Sequence, residues 1–390
     1  MSHTTHVRVL LALTYYRPHV SGLTIYVERL ARALARRGHV ATVLTMQYDR
    51  RLPLEDERDG VRVLRMPIIA RVSKGVLAPK LGRTASRLAR EHDVVSIHLP
   101  QFDAPGLTIR AHRENRPAIL TYHCDLQLPR GLLNRVIDRA VFGANFVAAK
   151  LADNIVAYTR DYADHSPLLS RFRAKTVIIP PPVVMPRPKP RAVAAFKAQH
   201  VGDMGPIVGF AARFAAEKGV EYLVQAMPRL LNTFPKLKVL FAGQYVDVLG
   251  EDQYWRRLEP GIRALGDHWE FLGTLGPEQM PAFFAACGVL VVPSLNSTES
   301  FGLVQVEAML CGTPTVASNL PGVRQPISMT GMGKVVPVAD AAALAEGIEH
   351  VLKNRARYRR PRKEIEATFD LEKTVDAYVQ LFEEAIRRRS

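Results

Sequence analysis

The feature that most constrains this chain is the alternation of short apolar runs, rich in β-branched residues, with longer amphipathic segments. Such alternation is typical of parallel sheets whose strands are joined by crossover helices. It occurs twice, on either side of a proline-dense segment at 180–190 that can continue neither a helix nor a central strand. The predicted fold class is therefore α/β, with two Rossmann-like, doubly wound parallel-sheet domains.

A chain of 390 residues is also long enough for two ordinary domains. We predict an N-terminal domain at 1–183 and a C-terminal domain at 184–368, with a helix in 369–390 that packs back on the N-terminal domain. The predicted strands are 7–13, 40–46, 61–66, 94–99, 118–123, 154–159 and 176–180, then 207–212, 238–243, 269–273, 289–294, 314–318 and 334–338.

Composition excludes several classes of protein. No apolar run approaches the roughly 20 residues of a spanning helix, and the N-terminal apolar stretch is interpreted as the first strand, so we expect a cytoplasmic protein. Cys124, Cys287 and Cys311 are isolated from one another, which predicts neither a disulfide framework nor a zinc site. A Rossmann oxidoreductase is disfavoured because no G-x-G-x-x-G follows the first strand of either domain.

The positive charge is concentrated in the first half of the chain. Residues 1–190 hold 30 Lys and Arg against 15 Asp and Glu, whereas 191–390 hold 23 against 22. This asymmetry predicts an anionic partner for the N-terminal domain: anionic lipid, a phosphorylated acceptor or nucleic acid. Nucleic acid is the weaker candidate, and we predict none, because no binding motif or interleaved aromatic residues accompany the charge.

Segment 71–91 suggests how such a partner could bind. At helical spacing, Leu77, Leu81, Ala85 and Leu88 share one face and Arg83, Arg87 and Arg90 another, with Lys74 and Lys80 near the start. A helix of this kind can lie on an anionic membrane surface. It can equally be a solvated helix packed on the sheet, and Pro79 interrupts it.

Ligands of open α/β sheets bind at the carboxyl ends of the strands. After the first strand, Ser21 and Gly22 precede an amphipathic helix whose N-terminus can accept a phosphate. A tight turn that needs one glycine is the alternative. After the first strand of the second domain, Arg213 and Lys218 can clamp a diphosphate, unless they belong to a solvated turn that caps a helix.

The most specific pattern lies at 299–307. Glu299 precedes a helix start formed by Ser300, Phe301, Gly302 and Leu303, and Glu307 follows two turns into the helix. A carboxylate in the loop can accept sugar hydroxyls, the backbone N–H groups around 301–303 can meet a phosphate, and the second carboxylate can hold a ribose diol. The alternative is an ordinary acidic first turn followed by a surface glutamate.

These residues resemble glycosyltransferase family 4, whose architecture is GT-B, two such domains facing a central cleft. The family's E-x7-E motif matches Glu299 and Glu307, its basic pair matches Arg213 and Lys218, and its N-terminal glycine loop matches Ser21 and Gly22, where many relatives have two glycines. The resemblance covers nearly the whole chain. It implies a nucleotide-diphosphate sugar donor (UDP-sugar or GDP-mannose), retention at the anomeric carbon, no cofactor, no obligatory metal, and often a lipid-linked or glycan acceptor.

The resemblance also implies residue roles. Glu299 would contact the donor sugar, residues 301–303 the sugar and phosphates, Glu307 the ribose, and Arg213 with Lys218 would neutralise the departing diphosphate. His123 matches a family histidine near the sugar, acting through its backbone or imidazole, or else it is a buried structural histidine. Asp125 could orient the acceptor or cap the next helix.

No carboxylate is clearly placed as a nucleophile, so we hypothesise front-face attack in which the departing phosphate helps deprotonate the acceptor. Two other functions remain open. A nucleotide-sugar 2-epimerase shares the fold and needs no acceptor, although the segment from Glu299 to Gly302 argues against it. The other is a catalytically silent nucleotide-binding scaffold.

Overall fold

A computed structural model describes residues 6–72, 75–127 and 131–389. The chain divides into two compact units. Unit 1 consists of Met1–Pro182 together with Asp370–Ser390, and unit 2 of Val183–Phe369. Each unit has its own parallel sheet and its own hydrophobic core, which confirms the predicted fold class.

The described residues of unit 1 form an eight-stranded sheet in the order β10-β9-β8-β7-β1-β2-β4-β3, parallel except for the β3 and β4 pair. Two further short strands, β5 and β6, pair only with each other. The strands are β1 Arg8–Ala12, β2 Val40–Gln47, β3 Glu55–Arg58, β4 Val61–Pro67, β5 Ala70–Val72, β6 Gly75–Leu77, β7 Val94–Leu99, β8 Ala118–Tyr122, β9 Asn154–Ala157 and β10 Thr176–Ile178. Because β1 lies between β2 and β7, the chain changes direction across the sheet at β1, and the loop after β1 opens at this switch point.

The helices of unit 1 are α1 Gly22–Arg36, α2 Leu81–Glu91, α3 Ala104–Arg113, α4 Leu132–Leu151, α5 Arg160–His165 and the C-terminal α14 Leu371–Arg387. The first of them shows why the sequence folds as it does. Ser21 caps α1 in a capping box with Thr24, and Tyr26, Leu30 and Leu34 form its buried stripe. Within the described ranges, no helix combines the length and the apolarity that crossing a bilayer requires.

Unit 2 repeats the design. Its described residues form a six-stranded parallel sheet in the order β13-β12-β11-β14-β15-β16, with β11 at the switch point between β12 and β14. The strands are β11 Ile207–Ala211, β12 Lys238–Ala242, β13 Trp269–Gly273, β14 Val289–Val292, β15 Thr315–Ser318 and β16 Gly333–Val336. The helices are α6 Pro190–His200, α7 Val220–Thr233, α8 Asp252–Ala264, α9 Met280–Ala286, α10 Leu303–Leu310, α11 Gln325–Thr330, α12 Ala341–Lys353 and α13 Arg362–Thr368.

The single long helix predicted at 71–91 is wrong in its first half. Residues 70–72 and 75–77 form the antiparallel strands β5 and β6, and the helix begins only at Leu81. Pro79 accounts for this, because a proline disfavours helical geometry in the residue before it. Lys74 lies outside the described residues, and Lys80 is the N-cap residue of α2.

The apolar face predicted for lipid is buried in the protein. Leu81, Ala85 and Leu88 of α2 pack in the core of unit 1, whereas Leu77 is in a strand and exposed. The basic residues on the other face, Arg83, Arg87 and Arg90, are exposed to solvent. The structure therefore contradicts a membrane contact through the apolar face of α2.

The C-terminal helix α14 is anchored in unit 1 by buried hydroxyls and by ion pairs. The Tyr378 hydroxyl lies 2.6 Å from that of Tyr26 in α1 and 3.0 Å from the Oγ1 of Thr121 in β8. After the helix, Arg389 donates to Oδ1 of Asp153 at 2.8 Å, and the other carboxylate oxygen accepts from Ala118 N–H at 2.8 Å. Asp153 thus joins the end of the chain to the central sheet.

The basic stretch at 355–363, between α12 and α14, has a structural role in unit 2. Arg355 donates to the carbonyl of Cys287 at 2.8 Å, just after α9. Arg362 donates to the carbonyl of Leu310, the last residue of α10, at 2.8 Å. Arginines at these positions satisfy carbonyls that a helix C-terminus leaves without partners.

We expect Asp153→Asn to destabilise unit 1 by about 1–3 kcal/mol at neutral pH, because it removes a charged acceptor from a partly buried network. Burial alone would raise the pKa of Asp153, but the hydrogen bonds from Ala118, Arg389 and His112 outweigh it and hold the pKa below 3.8. The stabilisation is therefore present above pH 3.8 and is lost as the pH falls through the lowered pKa. Urea unfolding followed by circular dichroism, at neutral and at acid pH, measures it.

Asp376→Asn is the matched control. Asp376 also pairs with an arginine, Arg37, at 2.6 Å, but its side chain is 70% exposed. Exposed pairs contribute little, so the control should cost below about 1 kcal/mol at any pH. Equal costs for the two variants would contradict the role given to Asp153.

Candidate functional site

The loop after β11 carries both predicted cations, Arg213 and Lys218. A buried carboxylate at the start of α8 holds the backbone of this loop in place, because Oε2 of Glu251 accepts the N–H of Ala216 at 3.0 Å. The loop ends in a short 3-10 turn at Ala216–Lys218. It therefore holds both basic side chains at the carboxyl end of the switch-point strand.

This loop is joined to the loop that follows β14. The N–H of Leu295 donates to the carbonyl of Glu217 at 2.9 Å. Gly219, at φ +69°, brings the two backbones so close that a Cβ at this position would lie 2.1 Å from the carbonyl oxygen of Pro293. Only glycine fits such an approach in the left-handed region. The two loops at the switch point thus form one rigid edge.

An ion pair connects the basic and acidic motifs across this edge. Nζ of Lys218 lies 2.8 Å from Oε2 of Glu299. The other oxygen of Glu299 accepts the N–H of Gly302 at 2.8 Å, which places the carboxylate against the start of α10. One carboxylate therefore contacts both the cation after β11 and the helix start after β14.

The electrostatics keep Lys218 charged. Burial lowers the pKa of Lys218, but Glu299 and Glu217 outweigh it and the net pKa is raised. Arg213 is close enough to oppose this effect and itself pairs with Glu217 at 3.2 Å, with its side chain 40% exposed. Two cations, the largely buried Lys218 and the partly exposed Arg213, thus lie in one cluster with the carboxylates of Glu217 and Glu299.

The start of α10 offers backbone donors to an anion. Gly302 is its N-cap residue in the left-handed conformation, and the N–H of Gln305 returns to the carbonyl of Gly302 at 2.9 Å. The N–H groups of Leu303 and Val304 have no acceptor in the part of the chain that the structure describes. Such donors and the positive end of the helix dipole favour a phosphate.

The other residues of the predicted motif are buried. Ser300 is 5% exposed, and the ring of Phe301 packs against Phe369 with ring centroids 5.8 Å apart. Any contact of Phe301 with a ligand must therefore come from its backbone. Glu307 is also buried, in the second turn of α10, which excludes a solvated surface glutamate at this position.

In unit 1, the loop after β1 leads to the N-terminus of α1. The hydroxyl of Ser21 accepts the N–H of Thr24 at 3.2 Å, and the N–H of Ser21 donates to the Thr24 hydroxyl at 2.8 Å. This capping box uses both polar groups of Ser21 at the helix start. The N–H groups of Gly22 and Leu23 have no acceptor within the described ranges, so Gly22 retains a donor for an anion and Ser21 serves chiefly as the cap.

His123 follows β8, and its ring is enclosed in a network of neutral groups. Nε2 lies 2.9 Å from Nδ1 of His98, at the end of β7, and Nδ1 shares a hydrogen bond with the Tyr158 hydroxyl. Burial, with a contribution from His98, lowers the pKa of His123 well below its ordinary value. The ring is therefore neutral, and both of its nitrogens have partners inside unit 1.

The second turn of α1 connects the glycine loop to this histidine. Tyr26, four residues after Gly22, meets the ring of His123 edge-on with centroids 4.9 Å apart. The structure therefore brings Ser21, Gly22 and His123 to the same edge of the unit 1 sheet, at the carboxyl ends of β1 and β8.

The carboxylate of Asp125 is held by hydroxyl groups within unit 1, and it does not cap the next helix, whose N-cap residue is Gly131. Oδ1 accepts the hydroxyls of Tyr122 at 2.8 Å and Ser166 at 2.7 Å, and Oδ2 accepts that of Tyr162 at 3.0 Å. The residue is buried and caps no helix. Its carboxylate is used to fix the loop after β8, because buried polar groups must be satisfied internally.

Several residues that shape both edges were not predicted from the sequence. Their common property is a hydrogen bond to a residue far away in the chain, which no local pattern reveals: Tyr26, His98, Tyr158, Glu217, Glu251 and Gln305. Glu217, in the E-K-G turn beside Lys218, is the one that a search for acidic neighbours of the predicted cations could have found.

Comparisons with known proteins agree with this geometry. The family model described as Glycosyl transferase 4-like domain matches residues 21–182, and Glycosyl transferases group 1 matches 194–368. A D-inositol 3-phosphate glycosyltransferase of Geodermatophilus obscurus is 30% identical, over 93% of this chain and 84% of that protein. The chain belongs to glycosyltransferase family 4.

Two further similarities place this family 4 glycosyltransferase among its relatives. A phosphatidyl-myo-inositol mannosyltransferase of Mycobacterium leprae is 26% identical over 86% of each chain. Among solved structures, sucrose-phosphate synthase of Thermosynechococcus elongatus superposes with a TM-score of 0.79 at 24% identity, covering 98% of this chain and all of that one. The latter similarity supports the GT-B fold class alone.

We expect Gly219→Ala to destabilise unit 2 by about 2 kcal/mol or more, because it adds a clash with a backbone carbonyl to the strain of a positive φ. Gly266→Ala is the control: its φ is +53°, and a Cβ there meets nothing within 4 Å. That variant should cost only the backbone strain, about 1 kcal/mol. Both tryptophans, Trp255 and Trp269, lie in unit 2, so urea unfolding followed by tryptophan fluorescence reports on this unit. Equal losses of unfolding free energy in Gly219→Ala and Gly266→Ala would contradict the close contact between the loops that follow β11 and β14.

Proposed function

We propose that this glycosyltransferase moves a hexose from a nucleotide-diphosphate sugar to a hydroxyl of a lipid-linked or glycan acceptor, with retention and without a metal. The observation that carries the proposal is the ion pair of Lys218 with Glu299 beside the N-terminus of α10. It combines fixed positive charge, a carboxylate and backbone donors at the switch point of unit 2, where a pyrophosphate-linked sugar can bind.

In this proposal each residue of the site has a separate role. Arg213 and Lys218 neutralise the departing diphosphate, with the N–H groups at the start of α10 as additional donors. Glu299 orients the sugar hydroxyls, and Glu307 holds the ribose. Fixed cations of this kind supply the leaving-group stabilisation that a metal gives in other enzymes. The donor sugar would be carried by UDP or by GDP, as UDP-sugar or GDP-mannose.

Retention by front-face attack is favoured by the state of the carboxylates. A double displacement needs a carboxylate that is available to attack the anomeric carbon. Asp125 is held by three hydroxyls, and Glu299 is bonded to Lys218 and Gly302. In this proposal the departing phosphate itself helps to deprotonate the acceptor hydroxyl. Mass spectrometry that detects a covalent sugar on a carboxylate during turnover would contradict this mechanism.

The acceptor is proposed to carry its hydroxyl on a polyhydroxylated ring. The names of both relatives reported above specify inositol, free as a phosphate in one and lipid-linked in the other.

For an anionic membrane surface, we propose α4 in place of α2. Its outward face exposes an apolar stripe at helical spacing, with Leu132 81% and Val136 63% exposed. Exposed basic residues flank this stripe: Arg135, Arg139 and Lys150. A helix with this pattern can dock in the interface of an anionic leaflet. The protein would then work at the cytoplasmic face of a membrane.

Nucleotide binding is tested by thermal shift with UDP, GDP and ADP. A nucleotide at about 100 times its Kd should raise folded-state stability by about 2.7 kcal/mol. Lys218→Gln should weaken the binding of the stabilising nucleotide about 10- to 100-fold, because a charge-assisted contact to phosphate is lost. Lys236→Gln, an exposed lysine that precedes β12 at the opposite end of its strand, should leave the Kd unchanged. Unaltered binding by Lys218→Gln would remove the basis of the proposal.

Membrane docking is tested by sedimentation with vesicles that contain phosphatidylglycerol. Combining Leu132→Ser, Arg135→Glu and Arg139→Glu should abolish most of the binding, because it removes apolar area and about 1 kcal/mol of attraction per basic residue. Arg83→Glu with Arg87→Glu on α2 is the matched control, and should reduce binding only through the general loss of charge. A greater loss of vesicle binding in the α2 variant than in the α4 variant would indicate that α2, and not α4, contacts the membrane.

A further inference from the structure

Both ring nitrogens of His123 have partners within unit 1, although the resemblance to the family implies that this histidine lies near the donor sugar. Its Nε2 bonds to Nδ1 of His98 at 2.9 Å and its Nδ1 to the Tyr158 hydroxyl. A neutral imidazole has one donor and one acceptor nitrogen. Both positions are therefore committed, and the ring can turn toward a ligand only by breaking both bonds.

His98 forms the inner end of this chain of hydrogen bonds. It is fully buried, and burial lowers its pKa to about 3. Its Nε2 has no partner among the residues that the structure describes. Such a buried polar atom costs free energy, so a histidine that serves only packing is poorly explained here. Its bond to His123 is the interaction that accounts for a histidine at this position.

Aromatic packing holds the chain of hydrogen bonds in place. Tyr26 stacks on Tyr158 with centroids 5.2 Å apart and meets His123 edge-on at 4.9 Å. The hydroxyl of Tyr26 is directed away to that of Tyr378 in α14, at 2.6 Å. Tyr26 therefore confines the rings of both Tyr158 and His123 without using their hydrogen-bonding groups.

The direction of one hydrogen bond fixes the direction of the next. If Tyr158 donates to Nδ1 of His123, then Nε2 of His123 carries the proton and donates to His98. If Nδ1 carries the proton, then His98 donates instead. Loss of either partner frees the tautomer and the ring orientation of His123, and with them the backbone geometry at the end of β8.

We propose that Tyr158 and His98 are positioning residues that fix His123 for the donor sugar. The proposal rests on the proposed function, since it takes the donor sugar as the ligand of His123. Neither residue contacts the donor in this proposal, and both act through the imidazole of His123. The main chain of His123 is then the part of the residue that meets the sugar.

Steady-state kinetics with the donor that binds most tightly in thermal shift tests this. Tyr158→Phe and His98→Phe keep the ring packing and each remove one bond to His123, and we expect kcat/KM to fall about 10- to 100-fold, as for a misplaced contact group. The Kd of the free nucleoside diphosphate, which unit 2 binds in this proposal, should not change. His98→Asn retains a polar group near the position of Nδ1 and should recover most of the loss.

Tyr378→Phe is the matched control, because it removes a buried hydroxyl from the same cluster that bonds to Tyr26 and Thr121 but not to His123. It should lower the midpoint of thermal unfolding at least as much as Tyr158→Phe while leaving kcat/KM near that of the unaltered protein. Equal kinetic losses for Tyr158→Phe and Tyr378→Phe would show a merely structural role and overturn the proposal.

A spectroscopic measurement separates this inference from the proposed function. In the unaltered protein, imidazole ¹⁵N shifts of His123 should show one neutral tautomer between about pH 5 and pH 8, and Tyr158→Phe should change the tautomer ratio. A His123 ring that titrates in this range overturns the positioning role, whether or not sugar is transferred. Failure of the proposed function has a different signature, since the unaltered protein would then bind no nucleoside diphosphate and transfer no sugar.

Discussion

The ion pair between Lys218 and Glu299 is the interaction on which the organisation of unit 2 depends. It joins loops that follow β11 and β14, which are neighbours only because the strand order reverses at β11. Removing one partner would leave the other charge largely buried and unpaired, which is costly. The same carboxylate binds the N–H of Gly302, so the start of α10 is held in register with the cation. Local folding and the proposed phosphate site therefore have one physical cause.

Unit 1 uses a different chemistry at the equivalent edge. His98, His123, Tyr26, Tyr158 and Tyr378 are buried and neutral, and hydrogen bonds in a low-dielectric core hold them rigidly because each is expensive to leave unmade. Part of the positive charge of unit 1 is on exposed helix faces instead, as with Arg135, Arg139 and Lys150 in α4. Charge placed on the surface can attract an anionic partner without disturbing the neutral network at the strand ends.

The fold followed from the sequence wherever a local pattern was sufficient. All of the predicted strands exist, because the strands of parallel sheets form predominantly apolar runs that are bounded by turn residues. The strand Glu55–Arg58 was missed because all four of its residues are charged, and it is stabilised only by antiparallel pairing with β4 at the sheet edge, where charge protects against aggregation. The strands at 70–72 and 75–77 were missed because their residues share the spacing of the helix that follows Pro79.

The candidate site likewise contains residues that a local sequence pattern predicts and residues that it does not. Four of its residues could be predicted, because a strand end, a glycine and a helix start are each recognisable in a short stretch of sequence. They are Arg213, Lys218, Glu299 and Gly302. The network around His123 could not be predicted in this way, because it is joined to hydrogen bonds between residues far apart in the chain. Tyr26 and Tyr378 are 352 positions apart, and Thr121 and Tyr378 are 257 apart. Pairs of this kind form only after the sheet has set which strands are neighbours. A sequence pattern can therefore identify candidate groups at strand ends and helix starts, whereas the groups that hold them in place emerge from tertiary packing. That difference explains why His123 was predicted while His98 and Tyr158, on which its orientation depends, were not.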